Sequence, residues 1–318
     1  MKLLFATYKN KWENDILRSF YYLINILIKS CGFTLVDLSD FEIGSHFELI
    51  LSKYQNVEHI LVIENHDNIL INHIFLDFFK NDIKKYIFAD DIHKFKESKN
   101  NDYYENFNKI FVTYYEPFLN MYPNINKEKV IWCPHGYTND YLINYNENPS
   151  NKILLSGAMG LLYPLRKHML KLFNGECKEY INYLRHPKYL KFDYNSEQKY
   201  KIGKSYAQIL NNHLCCFTDC LTYGFVVSKY FEIPASGALL LAENPLCDKL
   251  DKLGFINNIN YIECNKDNLI EKIKWILDPK NRIEVDKIRK NGMEMVRSRH
   301  SIENRAQLIN EYIDNDLH

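Results

Sequence analysis

Short, largely apolar runs alternate along this chain with segments whose apolar positions recur every three to four residues. In the first half the runs are Leu3–Ala6, Phe33–Val36, His59–Ile63, Tyr86–Ala89, Lys109–Thr113 and Val130–Trp132. Runs this short and this apolar predict strands buried on both faces, as in a parallel sheet covered by helices. Ile16, Leu17, Phe20, Leu23, Ile24, Leu27 and Ile28 fall at helical spacing and predict a helix over about 14–30.

The pattern pauses at 139–151, an Asn-rich polar run with Pro149 and Ser150 that reads as a linker. A second series follows, with strands predicted at 152–155, 179–184, 214–217, 238–242 and 260–262. Helices are expected at 165–173, 206–212, 229–236 and 269–277, the last ended by Asp278-Pro279. The segment 282–312 reads as helical with one break near Asn291-Gly292. The expectation is therefore α/β, with two Rossmann-like doubly wound domains facing a cleft. The boundaries expected are 1–145, 146–296 and a closing helix at 297–318 that packs back on the first domain. Ligands of such sheets sit outside the carboxyl ends of the strands, so residues just after the runs are the ones to weigh.

Composition narrows the chemistry. Lys+Arg and Asp+Glu number 40 each, so no chain-wide basic field is available to hold nucleic acid. The basic residues of 287–299 are interleaved with or flanked by acids, as on a solvated helix face. Only 11 of 318 residues are glycine, about half the usual share of roughly 7%. Neither G-x-G-x-x-G nor a P-loop occurs, which argues against nicotinamide chemistry and the P-loop NTPases. The eight cysteines form no C-x-x-C pair and read as reduced, buried thiols of a cytoplasmic protein. The longest apolar stretch, Phe20–Ile28, is far short of the ~20 residues that span a bilayer. Peripheral membrane contact stays open.

The segment Lys229-Tyr230-Phe231-Glu232-Ile233-Pro234-Ala235-Ser236-Gly237, running into Ala238–Ala242, carries the most chemistry. A carboxylate near a helix start can accept from a ribose diol, and Lys229 can meet a phosphate. The same carboxylate could instead only complement its own helix dipole. This segment resembles the donor-site motif of GT-B glycosyltransferases, in particular the branch that includes CgeB-like proteins. Asp90-Asp91-Ile92-His93, Trp132–Gly136, Ser156-Gly157-Ala158, Tyr163-Pro164-Leu165-Arg166, and Arg299-His300-Ser301 with Arg305 are similar to further family segments in the same order.

The resemblance implies a transferase that moves a sugar from a nucleotide-diphosphate donor, of the UDP or GDP kind, to a glycan, lipid or protein acceptor. It implies no cofactor and no metal. It assigns Glu232 to the donor ribose, Arg166 and Lys229 to the diphosphate, and Gly157 with Tyr223-Gly224-Phe225 to close backbone approach. Asp91 and His93 become candidates for taking the acceptor proton, although a helix start would use the same residues. His66-Asp67 is a weaker candidate of the same kind. Many relatives carry a second glutamate eight positions before the first, where this chain has Gly224. An inactive nucleotide- or glycan-binding homologue is therefore the alternative. A different two-domain enzyme such as an epimerase comes third.

Overall fold

The computed structural model describes the chain apart from residues 8–15, 17, 64–69, 91–100, 189–191, 246–247 and 317–318. It divides into two compact units. The first comprises Met1–Glu13, Phe20–Pro134 and Glu303–His318, and the second Asn14–Ser19 and His135–Ile302.

The first unit runs β1 (Lys2–Ala6), α1 (Arg18–Cys31), β2 (Phe33–Asp37), β3 (Ser45–His46), α2 (Glu48–Lys53), β4 (His59–Ile63), α3 (Ile71–Ile74), β5 (Phe75–Leu76), β6 (Lys84–Ala89), α4 (Asn101–Glu105), β7 (Lys109–Val112), α5 (Tyr115–Met121) and β8 (Val130–Trp132). Six strands form one parallel sheet in the order β2-β1-β4-β6-β7-β8. Its central strands bury every residue of Leu3–Ala6 and of His59–Ile63, which is why these runs lack the alternation of a half-exposed strand. The two-residue strands β3 and β5 pair as a small parallel ribbon that no periodicity announced.

The second unit runs β9 (Ser150–Gly157), α6 (Pro164–Phe173), β10 (Ile181–Arg185), α7 (Gly203–Asn211), β11 (His213–Thr218), α8 (Lys229–Ala235), β12 (Leu239–Glu243), α9 (Lys249–Lys252), β13 (Ile262–Cys264), α10 (Leu269–Leu277) and α11 (Arg282–Arg299). Its sheet is parallel throughout, in the order β10-β9-β11-β12-β13. From β9 the chain winds to β10 on one side and then to β11 on the other. The gap between the carboxyl ends of β9 and β11 is thus the topological switch point, where doubly wound sheets bind ligands. Ile153, Leu155, Leu165, Met169, Phe217, Leu241 and Ile273 are among the side chains that close the core beneath it.

The final helix, α12 (Ile302–Asn315), lies almost wholly in the first unit. There Lys2 Nζ donates to Asn310 Oδ1 at 2.6 Å and pairs with Asp314 at 3.0 Å. Tyr86 Oη donates to Asp316 Oδ2 at 2.8 Å, and Lys84 pairs with the same residue. His59 Nδ1 sits 3.0 Å from the Tyr86 hydroxyl, so a polar cluster marks the amino ends of β1, β4 and β6. Among the described residues no helix is long and apolar enough to cross a membrane.

One expectation is corrected. The helix does not break near Asn291-Gly292. It runs unbroken as α11 to Arg299, and the interruption falls at His300-Ser301. Gly292 has a packing role, because a Cβ there would stand 2.5 Å from the Asn260 carbonyl oxygen. Gly→Ala inside a helix ordinarily stabilises by roughly 0.5–1 kcal/mol. Here the sign reverses, and Gly292→Ala should destabilise by about 1–3 kcal/mol through overpacking against fixed backbone. A chemical denaturation curve checks this, and an unchanged or raised midpoint would refute it.

Candidate functional site

β9 ends at Gly157 with φ +108°, a conformation that L side chains rarely adopt. A Cβ on Gly157 would stand 2.7 Å from Arg166 Nη1 and 3.1 Å from Lys229 Cε. The bare backbone thus lets two cationic side chains crowd the carboxyl end of β9.

Arg166 comes from the first turn of α6, whose start is favoured by Pro164 at the first helical position. Its guanidinium is buried, 2.7 Å from Asp219 Oδ1, and Nη1 donates to the Ala158 carbonyl at 2.9 Å. Asp219 follows β11 and also accepts the Arg166 backbone N–H at 2.8 Å. Burial pushes the Asp219 carboxyl up, and the Arg166 charge opposes that. The Tyr163 ring lies over the guanidinium with its centroid 4.2 Å from Cζ. Arg166 therefore has most of its charge committed to Asp219, and the pair fastens α6 across the switch point.

Lys229 opens α8 and is less committed. Its ammonium donates to the Tyr206 hydroxyl at 2.7 Å and stands 4.0 Å from Glu232 Oε2, the outer limit of an ion pair. Burial works against the charge, but the Tyr206 and Glu232 oxygens outweigh it and hold Lys229 above its ordinary value. Tyr206, from α7, hydrogen-bonds Ser156 Oγ at 2.8 Å, which ties the lysine to β9 through one phenol. Burial pushes the Tyr141 hydroxyl well up, and the Glu232 carboxylate to which it hydrogen-bonds adds to the effect.

α8 stops at Gly237, φ +82°, where the Gly237 N–H donates to Pro234 O and the Ala238 N–H to Ile233 O. This is a Schellman ending. Tyr145, Asn211 and Met293 are its nearest neighbours, so this glycine ends a helix among packed side chains.

Gly157, Arg166, Lys229 and Glu232, singled out from the sequence, converge at one place. Tyr223-Gly224-Phe225 forms a neighbouring turn. Leu221 and Gly224 have φ of +59° and +66°, and the Tyr223 and Phe225 rings stand 5.3 Å apart. Thr222 N–H donates to Leu162 O at 3.0 Å, joining this turn to the loop that follows Gly157. Where two-glutamate relatives carry a carboxylate, the Gly224 carbonyl accepts from Lys249 Nζ at 2.9 Å. Asp91, His93, His66 and Asp67 lie outside the described residues. Asp90, which precedes them, is buried at the carboxyl end of β6.

Sequence reasoning passed over Asp219, Tyr206 and Tyr141. Asp219 carried a usable signal as the first polar residue after a buried strand next to the switch point. The others carried none that sets them apart from ordinary helix and loop residues.

Comparison with known proteins bears on the fold that carries these residues. Residues 173–311 match the family described as glycosyl transferase-like. No curated protein sequence matches the chain. Among solved structures, the chain is similar to a glycosyltransferase from Rickettsia africae, with TM-score 0.63 and 13% identity over 99% of this chain and 98% of that one. It is also similar to Anabaena HepE, solved with UDP and glucose, with TM-score 0.61 and 10% identity over 98% and 99%. Sucrose-phosphate synthase from Thermosynechococcus elongatus aligns with TM-score 0.57 and 10% identity over 99% and 98%. The GT-B glycosyltransferase resemblance read from the sequence is borne out for the fold of the whole chain. The match to the glycosyl transferase-like family covers less than half of the chain and lies almost wholly in the second unit.

Proposed function

We propose that the chain is a glycosyltransferase that takes a nucleotide-diphosphate sugar into the second unit and transfers the sugar to a glycan, lipid or protein acceptor. The observation that carries this reading is Gly157 at the switch point, bare of side chain and flanked by Arg166 and Lys229, with Glu232 beside Lys229. Backbone N–H groups and cations at strand ends suit a diphosphate, and a neighbouring carboxylate suits a ribose diol. Lys229 and Arg166 would stabilise the charge growing on the departing diphosphate, so the proposed reaction needs no divalent metal and no cofactor. UDP is the first nucleotide to test, because HepE binds it.

Asp91 and His93 remain the proposed acceptor-side residues, either of which could take the acceptor proton. The free thiols among the described residues suit a reducing, cytoplasmic setting.

Gly224 in place of a carboxylate favours one second reading, a homologue that binds a nucleotide or glycan without turnover. Incubation with UDP-, GDP- and dTDP-sugars in the presence of EDTA separates the two, since donor hydrolysis or transfer eliminates the inactive reading. Glu232→Gln should weaken nucleotide affinity about tenfold, the worth of one hydrogen bond to a charged group, while leaving the fold intact. Unchanged affinity in that variant would remove the ribose assignment.

A further inference from the structure

His186 follows β10 directly, and β10 pairs with β9 so that Arg185 stands opposite Gly157. His186 is the next residue, one step beyond the level of the bare glycine, where β9 gives way to Ala158, whose carbonyl Arg166 Nη1 reaches at 2.9 Å. Nδ1 accepts the backbone N–H of Lys188 at 2.9 Å in a tight turn where Lys188 has φ +71°. With Nδ1 held as an acceptor, the ring proton of the neutral side chain resides on Nε2. Its charged surroundings among the described residues come from three elements: Lys229 at the start of α8, Arg166 in α6, and Lys201 just before α7. Burial first, and then these three cations, depress the imidazole to about 4.

A group of this kind has an obvious use beside a diphosphate. Protonation would require Nδ1 to give up the Lys188 N–H and would place a further positive charge among three cations. The neutral ring can instead donate from Nε2 without changing charge state. We propose that His186 is a positioning residue of the donor site, an uncharged hydrogen-bond donor that orients the diphosphate beside Gly157, Arg166 and Lys229. The inference rests on the donor-site reading above and adds to it a residue with a fixed tautomer.

The two ring nitrogens can be tested apart. Asparagine places its carbonyl where Nδ1 stands and keeps the acceptor for Lys188, but has nothing at Nε2. Glutamine can place an amide N–H near Nε2. In the folded protein, His186→Asn should lose about tenfold in affinity for UDP, measured by titration calorimetry. His186→Gln should recover most of that affinity.

The ratio of wild-type to His186→Asn affinity should stay constant between pH 5.5 and 8, because a group depressed to about 4 does not titrate in that window. Taking the ratio removes the nucleotide's own titration. Wild-type affinity in a folded His186→Asn variant would overturn the proposal. So would a ratio that changes with a midpoint inside the window, which would show a charged imidazolium. If His186→Asn fails to fold, failure of His186→Gln to bind UDP within about threefold of wild type serves as the overturning result. A wild-type chain that binds neither UDP, GDP nor dTDP would instead remove the donor-site reading itself, and this inference with it.

Discussion

Arg166→Leu should lower the stability of the protein by about 3–5 kcal/mol, the usual consequence of deleting one member of a buried ion pair. The Arg166 side chain is 3% exposed and that of Asp219 0%, so neither charge has water to fall back on. Removing the guanidinium leaves a buried carboxylate at the end of β11 answered by backbone N–H groups, those of Arg166 and of Asp219 itself, in place of a charge. The partial compensation open to Asp219 is to take up a proton, which burial already favours. A double variant, Arg166→Leu with Asp219→Leu, should recover most of the loss, because it removes the stranded charge with its partner. Equilibrium denaturation of both proteins checks the pair. A single variant within about 1 kcal/mol of wild type would show that the ion pair contributes little and that α6 is held by packing alone.

Lys229→Met should separate charge from scaffold. Methionine keeps the apolar stem and its approach to Gly157 but carries no ammonium. Tyr206 retains Ser156 as a partner, and Glu232 is partly solvated, so the thermal midpoint should move little. If Lys229 stabilises the departing diphosphate, kcat/KM for donor hydrolysis should fall by about 10²–10³, the scale seen when one preorganised electrostatic donor is lost. UDP affinity should fall by less, because the leaving group carries more charge in the transition state than in the bound donor. Donor hydrolysis within threefold of wild type would remove Lys229 from the reaction. A collapse in stability with no change in the rate of the folded fraction would assign it to scaffolding.

The contrast between these residues shows what the linear chain made visible. The central strands of the two main sheets were legible because strands buried on both faces leave largely apolar runs, and His59–Ile63 or Ile153–Leu155 can be little else. The half of the site on Lys229–Gly237 was legible because its charged and small residues lie within one short segment. Gly157 and Arg166 were reached only through the resemblance, and the partners that hold Arg166 and Lys229 in place were not legible. Asp219 acquires its meaning only when β11 is set beside β9, which brings it to Arg166 across 53 positions of sequence. His186 and Tyr206 depend in the same way on strand order, which no local pattern encodes. Gly292 misled for a related reason. In sequence a glycine in a helical run marks a break, whereas here it makes room for the backbone of Asn260, a contact made by residues far apart along the chain.

The bonds from Lys2 to Asn310 and Asp314 also carry a consequence for synthesis on the ribosome. β1 waits for partners that emerge 308 and 312 residues later. The second unit, contiguous apart from Asn14–Ser19, can close its sheet before those residues appear. The unit started before the other is therefore finished after it. During that interval, roughly 15–60 seconds at about 5–20 residues per second, the amino ends of β1, β4 and β6 lack the polar partners that α12 supplies. A nascent chain arrested before residue 302 should therefore be attacked by protease in its first unit while the second resists.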